Sequence, residues 1–298
     1  MALLVSENEI SKIVIKKFYD AEFYYEHRVH KTINDRLNNK LNDYDVLFCD
    51  IENKTFIFKY AGKTLTDEYD FTKYDIKEKL MLFDQLISKV DQLVKIGVIH
   101  NDIKPINLCI NDNQLILIDY GNGYVIPDDI NEQNCFNTSY FSASPEYLIL
   151  ANMESFPLFP EDEKKYNDEQ NNFLEIISKT QHMTLAGILI GMLVNEINFY
   201  YNTFLEVTQY YLHNIKTNDI ENRFDLINEI NIQKLSEICL KKMIRKNVNH
   251  EIIDIIMNML SFDYHDRLSL HEISNWLKHL YEEKIIDIKT TNHECIEK

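Results

Sequence analysis

Two short polar stretches flanking a run of apolar residues constrain this chain more than any other feature. The first is His100-Asn101-Asp102-Ile103-Lys104-Pro105-Ile106-Asn107, and the second is Asp119-Tyr120-Gly121. Between them, 108–110 and 115–118 are rich in Leu and Ile around Asn111-Asp112-Asn113, which predicts a small β-hairpin. Phosphoryl transfer asks a protein for a carboxylate to orient a hydroxyl, cations around phosphates and oxygen ligands for Mg²⁺. On one loop, Asp102 is placed to take the hydroxyl proton, Lys104 to steady a γ-phosphate and Asn107 to hold a metal. Asp119, at the end of an apolar strand, supplies a second metal ligand. Any one of these side chains alone would read as a turn cap or a surface charge.

The order and separation of these motifs resemble those of the eukaryotic-type protein kinases, with their H-R-D-x-K-x-x-N and D-F-G signatures. Lys104-Pro105 is similar to the serine/threonine subgroup. The resemblance implies ATP and Mg²⁺ as cofactors and transfer of the γ-phosphate to protein hydroxyls. It covers roughly residues 12–280 and assigns further positions. Ile13-Val14-Ile15-Lys16 resembles the V-A-I-K strand, so Lys16 would contact the α- and β-phosphates and Val14 the adenine. Strand alternation favours Lys16 over its neighbour Lys17. Glu26 is the implied helix partner of Lys16, because Val29 and Ile33 follow it on the inward face, with Glu22 as the alternative. Alone, Lys16 would read as an edge-strand lysine that deters aggregation.

Residues 56–62 resemble the hinge between kinase lobes. Phe58 would stand behind the adenine, the backbones of Lys59 and Ala61 would bond its edge, and Cys109 would line the same pocket. Ser144-Pro145-Glu146 resembles A-P-E, with Arg267 as the implied structural ion-pair partner of Glu146. Thr138 or Ser139 falls where the family keeps a Thr that helps distinguish hydroxyl acceptors.

The chain departs from the family in four places. No glycine precedes Gly62, and only 15 residues precede Lys16, so the Gly-rich phosphate loop is missing. A rebuilt N-terminal lobe and a start lying further upstream both fit that absence. Asn101 replaces the Arg of H-R-D, so phosphorylation of an activation loop is not expected as a switch. Tyr120 replaces the Phe of D-F-G. His182 stands where an Asp usually anchors the catalytic loop, and reads as a core histidine.

The expected fold is α+β and bilobal. A reduced β-rich lobe (1–61) precedes a helical lobe (62–298) that carries an acidic insertion at 152–181. Strands are predicted at 12–18, 45–50 and 55–60, and helices at 21–38, from 75 to Gly97, near 183–195, near 251–260 and around 269–283. The insertion reads as a solvated excursion or as a docking surface for basic substrates.

Charge and cysteine content narrow the classes further. With 48 acids against 31 bases, the net charge is −17, which disfavours nucleic acid as the primary partner and suits a basic protein substrate. Five scattered cysteines without a C-x-x-C pair suggest reduced thiols in a cytoplasmic setting. The longest apolar segment, 183–194, is about half the ~20 residues needed to span a bilayer, so no membrane partner is expected. The Asn, Ile, Lys and Tyr bias suggests an AT-rich genome such as that of a large DNA virus, which would place the protein in host cytoplasm or a virion. Two other readings compete with an active kinase. One is a pseudokinase acting as a binding scaffold, and the other is a small-molecule phosphotransferase of the aminoglycoside or choline type.

Overall fold

The computed structural model describes residues 2–4, 13–37, 46–66, 69–125, 179, 181–204, 220–261 and 263–284. The chain is mixed α/β and divides into two compact units. One comprises Met1–Thr66 with Gln92–Thr184, the other Asp67–Asp91 with Leu185–Lys298.

The first unit is built on small antiparallel sheets. Strands β1 (Ala2–Leu4), β2 (Ile13–Lys17), β3 (Val46–Asp50) and β4 (Thr55–Lys59) form one sheet in the order β1-β2-β4-β3. Val14 pairs with Phe58 and Lys16 with Phe56 across β2 and β4. Successive strand residues point to opposite faces, so these four side chains share one face. The turn between β3 and β4 is fixed by Asp50, whose carboxylate accepts from the Asn53 backbone N–H at 3.0 Å and from its Nδ2 at 2.8 Å. Helix α1 (Asp20–Leu37) buries Phe23, Glu26, Val29, His30 and Ile33, a stripe at helical spacing that carries one carboxylate inward. Arg36 Nη1 donates to the Ile96 carbonyl at 2.7 Å.

Beyond Gly62 the strand β5 (Lys63–Thr64) pairs with β7 (Leu108–Asn111), which pairs with β8 (Gln114–Leu117). The β7–β8 turn has Asp112 at φ 49° and Asn113 at φ 61°. Two consecutive positive φ values define a two-residue type I′ turn, whose twist matches the flanking strands. A third sheet pairs β6 (Val98–Ile99) with β9 (Tyr124–Val125). Gly62 has φ +104°, and a Cβ there would lie 2.6 Å from the Ile110 carbonyl oxygen. Glycine is therefore required where the chain turns onto β7.

The second unit is helical. It holds most of α2 (Ile76–Lys95) and α3 (His182–Val194), together with α4 (Ile220–Arg245), α5 (His250–Met259) and α6 (Leu270–His279). Helix α6 starts with a capping box: the Glu272 N–H donates to Ser269 Oγ, and the Glu272 carboxylate accepts from the Ser269 N–H at 2.8 Å. Asp84 is buried on α2 and accepts from Ser274 Oγ and from the Tyr281 hydroxyl, tying α2 to the C-terminal helices. Helix α4 is 26 residues long, whereas the sequence suggests only a solvated helix face at its end, around Lys241, Lys242 and Arg245, and gives no sign of β1 or β5. The helix expected around 269–283 is α-helical over Leu270–His279 and continues as a π-turn over Leu280–Lys284.

Candidate active site

The site lies within the first unit. Strand β2 presents Lys16, whose Nζ lies 2.6 Å from Glu26 Oε2 and 2.6 Å from Asp119 Oδ1. Side-chain exposure is 1% for Glu26, 20% for Lys16 and 47% for Asp119, so the ammonium bridges a buried carboxylate and a half-exposed one. Burial opposes the Lys16 charge, but the two carboxylates outweigh it and hold its pKa above the ordinary lysine value. Burial likewise opposes the Asp119 charge, yet Lys16, followed by His100 and the Gly121 N–H, holds its carboxyl below the usual range.

The loop 100–107 is organised around Asp102. His100 is fully buried, and its Nε2 donates to the Ile118 carbonyl at 3.1 Å. Its Nδ1 is then left as an acceptor for the Asp102 N–H at 3.3 Å, a network that assigns the neutral Nε2–H tautomer. Burial pushes the His100 pKa down to about 4, in keeping with that neutral ring. Asn101 (φ 61°) and Asp119 (φ 63°) both occupy the left-handed region, which Asn and Asp tolerate better than most residues. A 3₁₀ turn, Pro105–Asn107, carries Asn107 back under the loop, and the Ile118 N–H donates to the Asn107 carbonyl at 2.9 Å.

The two oxygens of Asp102 are unequal. Oδ2 receives Lys104 Nζ at 2.9 Å, Asn107 Nδ2 at 3.0 Å and Asn122 Nδ2 at 3.2 Å. Oδ1 is buried and has no hydrogen-bond partner among the described residues. A buried carboxylate oxygen without a donor is costly, and its natural complement is a hydroxyl proton.

Beside Lys16, Glu26 and Asp119 is a cavity of about 250 Å³. Val14, Phe58, Cys109, Ile116 and Ile118 give it apolar walls. Lys59 and Ala61 line it from the segment leading to Gly62, and Lys16, Glu26 and Asp119 line it as well. Burial pushes the Cys109 thiol up to about 11, so it serves as a small apolar wall rather than a nucleophile. Tyr120 is buried, with its ring 4.6 Å from that of His100 and 5.6 Å from that of His30.

The donor set suits a divalent cation held jointly with phosphates. Asp119 and Asn107 offer oxygen ligands, and no group of three His, Cys, Asp or Glu side chains converges among the described residues. Such a pair cannot enclose Mg²⁺ alone but matches the one or two side chains that Mg²⁺ takes beside a nucleotide.

The remaining expected positions lie elsewhere. Arg267 is buried in the second unit, and its Nε donates to the Ser261 carbonyl at 2.9 Å. Its implied partner Glu146 lies outside the described residues, as do Thr138, Ser139 and the acidic segment 152–178. His182 is buried at the start of α3. Sequence reasoning missed Asn122, hidden in a Gly-Asn-Gly turn, and His30, whose Nε2 is 3.5 Å from the second oxygen of Glu26. The signal for His30 was its i+4 spacing from Glu26; Asn122 had none beyond proximity to Asp119.

The mixed α/β fold, with its small sheets and several helices, is compatible with a kinase-like fold. No protein-family model matches the chain. It is 26% identical over 128 residues to a protein of Invertebrate iridescent virus 3 named "Putative serine/threonine-protein kinase 040L", covering 37% of this chain. The match spans 37% of that relative's own length. Among the described residues, no helix is long and apolar enough to cross a membrane.

Proposed function

We propose that this protein is a serine/threonine protein kinase that transfers the γ-phosphate of ATP to protein hydroxyls, with Mg²⁺. The observation that carries the reading is the placement of the Lys16 ion pairs, to Glu26 and to Asp119, on the wall of one apolar cavity. An apolar slot beside fixed charges is what a planar base attached to a triphosphate requires. Val14 and Phe58 pack on the adenine, and the backbones of Lys59 and Ala61 bond its edge. Lys16 holds the α- and β-phosphates, with Glu26 fixing its direction.

Asn107 and Asp119 hold Mg²⁺, which supplies neutralisation of the charge that builds on the phosphate oxygens. Asp102 Oδ1 takes the proton of the acceptor hydroxyl as its oxygen bonds to the γ-phosphorus. The bond from that phosphorus to the bridging oxygen breaks, and ADP leaves with the electron pair. Lys104 moves from Asp102 to the transferring phosphoryl group. The net charge of −17 favours a basic protein as acceptor.

A second reading, a kinase-shaped scaffold with little turnover, is supported by His182, which stands where the resemblance implies an anchoring Asp. An imidazole ring accepts fewer hydrogen bonds than a carboxylate, so it would hold the loop less firmly. Radiolabelled transfer from Mg-ATP to a generic basic protein, measured for wild type beside Asp119→Ala, separates the two. Transfer by wild type and none by the variant supports the kinase. Nucleotide binding without transfer by either supports the scaffold.

A further inference from the structure

We propose that Asn122 is a positioning residue that holds the Asp102 carboxylate in register with the turn carrying Asp119; this rests on the phosphoryl-transfer reading above. Of the three donors on Asp102 Oδ2, Lys104 and Asn107 belong to the same loop as Asp102. Asn122 alone reaches it from beyond β8, three residues past Asp119. The contact therefore joins the proton-accepting carboxylate to the metal-side segment through a single amide.

Its importance grows during the reaction. The Lys104 side chain is 38% exposed and leaves Oδ2 when it turns to the phosphoryl group. Asn107 and Asn122 then hold Oδ2 between them, and Oδ1 stays aimed at the acceptor. A neutral amide suits this task, because a carboxylate at 122 would repel Asp102 and an ammonium would compete with Lys104.

The backbone under Asn122 is built to keep it in place. The Gly123 N–H donates to the Tyr120 carbonyl at 2.8 Å, closing the turn. A Cβ at Gly123 would stand 2.9 Å from the Tyr120 oxygen and 3.0 Å from Val29 Cγ2, so the turn is pressed against α1. Tyr120 is itself buried, which anchors the other end. A turn fixed at both ends gives the amide of Asn122 little freedom to leave Asp102.

The test is a double-mutant cycle of Asn122→Ala and Asp102→Ala in the full chain, with Asn122→Gln as the conservative variant. We expect Asn122→Ala to lower kcat about tenfold, equivalent to ~1.4 kcal/mol, with the KM for ATP unchanged. Asn122→Gln should regain part of that loss. In the Asp102→Ala background, Asn122→Ala should change the residual rate less than twofold. The same four proteins unfolded in urea should show non-additive losses, a readout that needs no turnover. Absence of transfer by wild type would therefore overturn the kinase reading while leaving the Asn122–Asp102 contact to be judged by unfolding. Equal loss of kcat in both backgrounds, or additive unfolding energies, would overturn the positioning role.

Discussion

Asn107 grips Asp102 twice with one amide: its Nδ2 donates to the Asp102 carbonyl at 2.8 Å and to Asp102 Oδ2 at 3.0 Å. The loop is thereby closed on itself, and the carboxylate turns with the backbone. Replacing Asn107 with Leu removes both bonds and one proposed metal ligand. We expect kcat to fall by about a hundredfold, roughly 3 kcal/mol of transition-state stabilisation, and the Mg²⁺ concentration for half-maximal rate to rise. A titration of rate against Mg²⁺ checks both effects.

Asp102→Asn retains the shape of the side chain but removes its capacity to take a proton. Transfer should drop at least a hundredfold while the thermal midpoint stays close to that of wild type, as followed by circular dichroism. Wild-type rates in this variant would take Asp102 out of the mechanism.

Lys16→Met leaves Glu26, at 1% exposure, without its ammonium. A buried charge that loses its partner destabilises, here by about 2 kcal/mol once the partial exposure of Lys16 is discounted. The double change Lys16→Met with Glu26→Leu should recover that stability, because neither charge is then stranded, and nucleotide binding should remain lost. Urea unfolding and nucleotide titration by fluorescence read the two effects separately.

His100 gives a pH signature. Its folded-state pKa of about 4 lies below the ordinary histidine value near 6.5, so the unfolded chain binds more protons between those values. Stability from this group is complete above pH 6.5 and declines as pH falls towards 4, by roughly 3 kcal/mol in all. His30, also buried and depressed, acts in the same direction. Urea midpoints between pH 7 and 4.5 should fall steadily, and His100→Gln should flatten that slope.

Gly62→Ala meets two obstacles, a φ of +104° and a carbonyl oxygen 2.6 Å from the new Cβ. We expect a loss of at least about 1 kcal/mol, read as a lower thermal midpoint. The cavity beside Lys16 should be perturbed too, because Gly62 is among its lining residues.

What could be read from the sequence was whatever local chemistry decides. The β7–β8 hairpin followed from Asn111-Asp112-Asn113, where positive φ comes easily. The inward placement of Glu26 followed from Val29 and Ile33 at helical spacing, and the facing of Lys16 and Val14 from strand alternation. Helix α4 was not legible because its first half, 220–232, mixes acidic and amide residues among the apolar ones without a clean stripe. The two-residue strand β5 is defined only by its partner β7, which lies far along the chain. Asn122 was missed for the same reason, since a turn asparagine reveals its partner only once the chain has folded.

The charges around the cavity carry a consequence for the order in which things arrive. Lys16 and Lys59 line it beside Glu26 and Asp119, and Lys104 pairs with Asp102 nearby, so three positive charges stand against three negative. A bare triphosphate would bring its negative charges to a pocket with no cationic surplus to offset them, on a chain whose net charge is −17. The nucleotide should therefore come already complexed with its divalent ion, and stripping that ion with a chelator should weaken nucleotide binding itself, ahead of any question of catalysis.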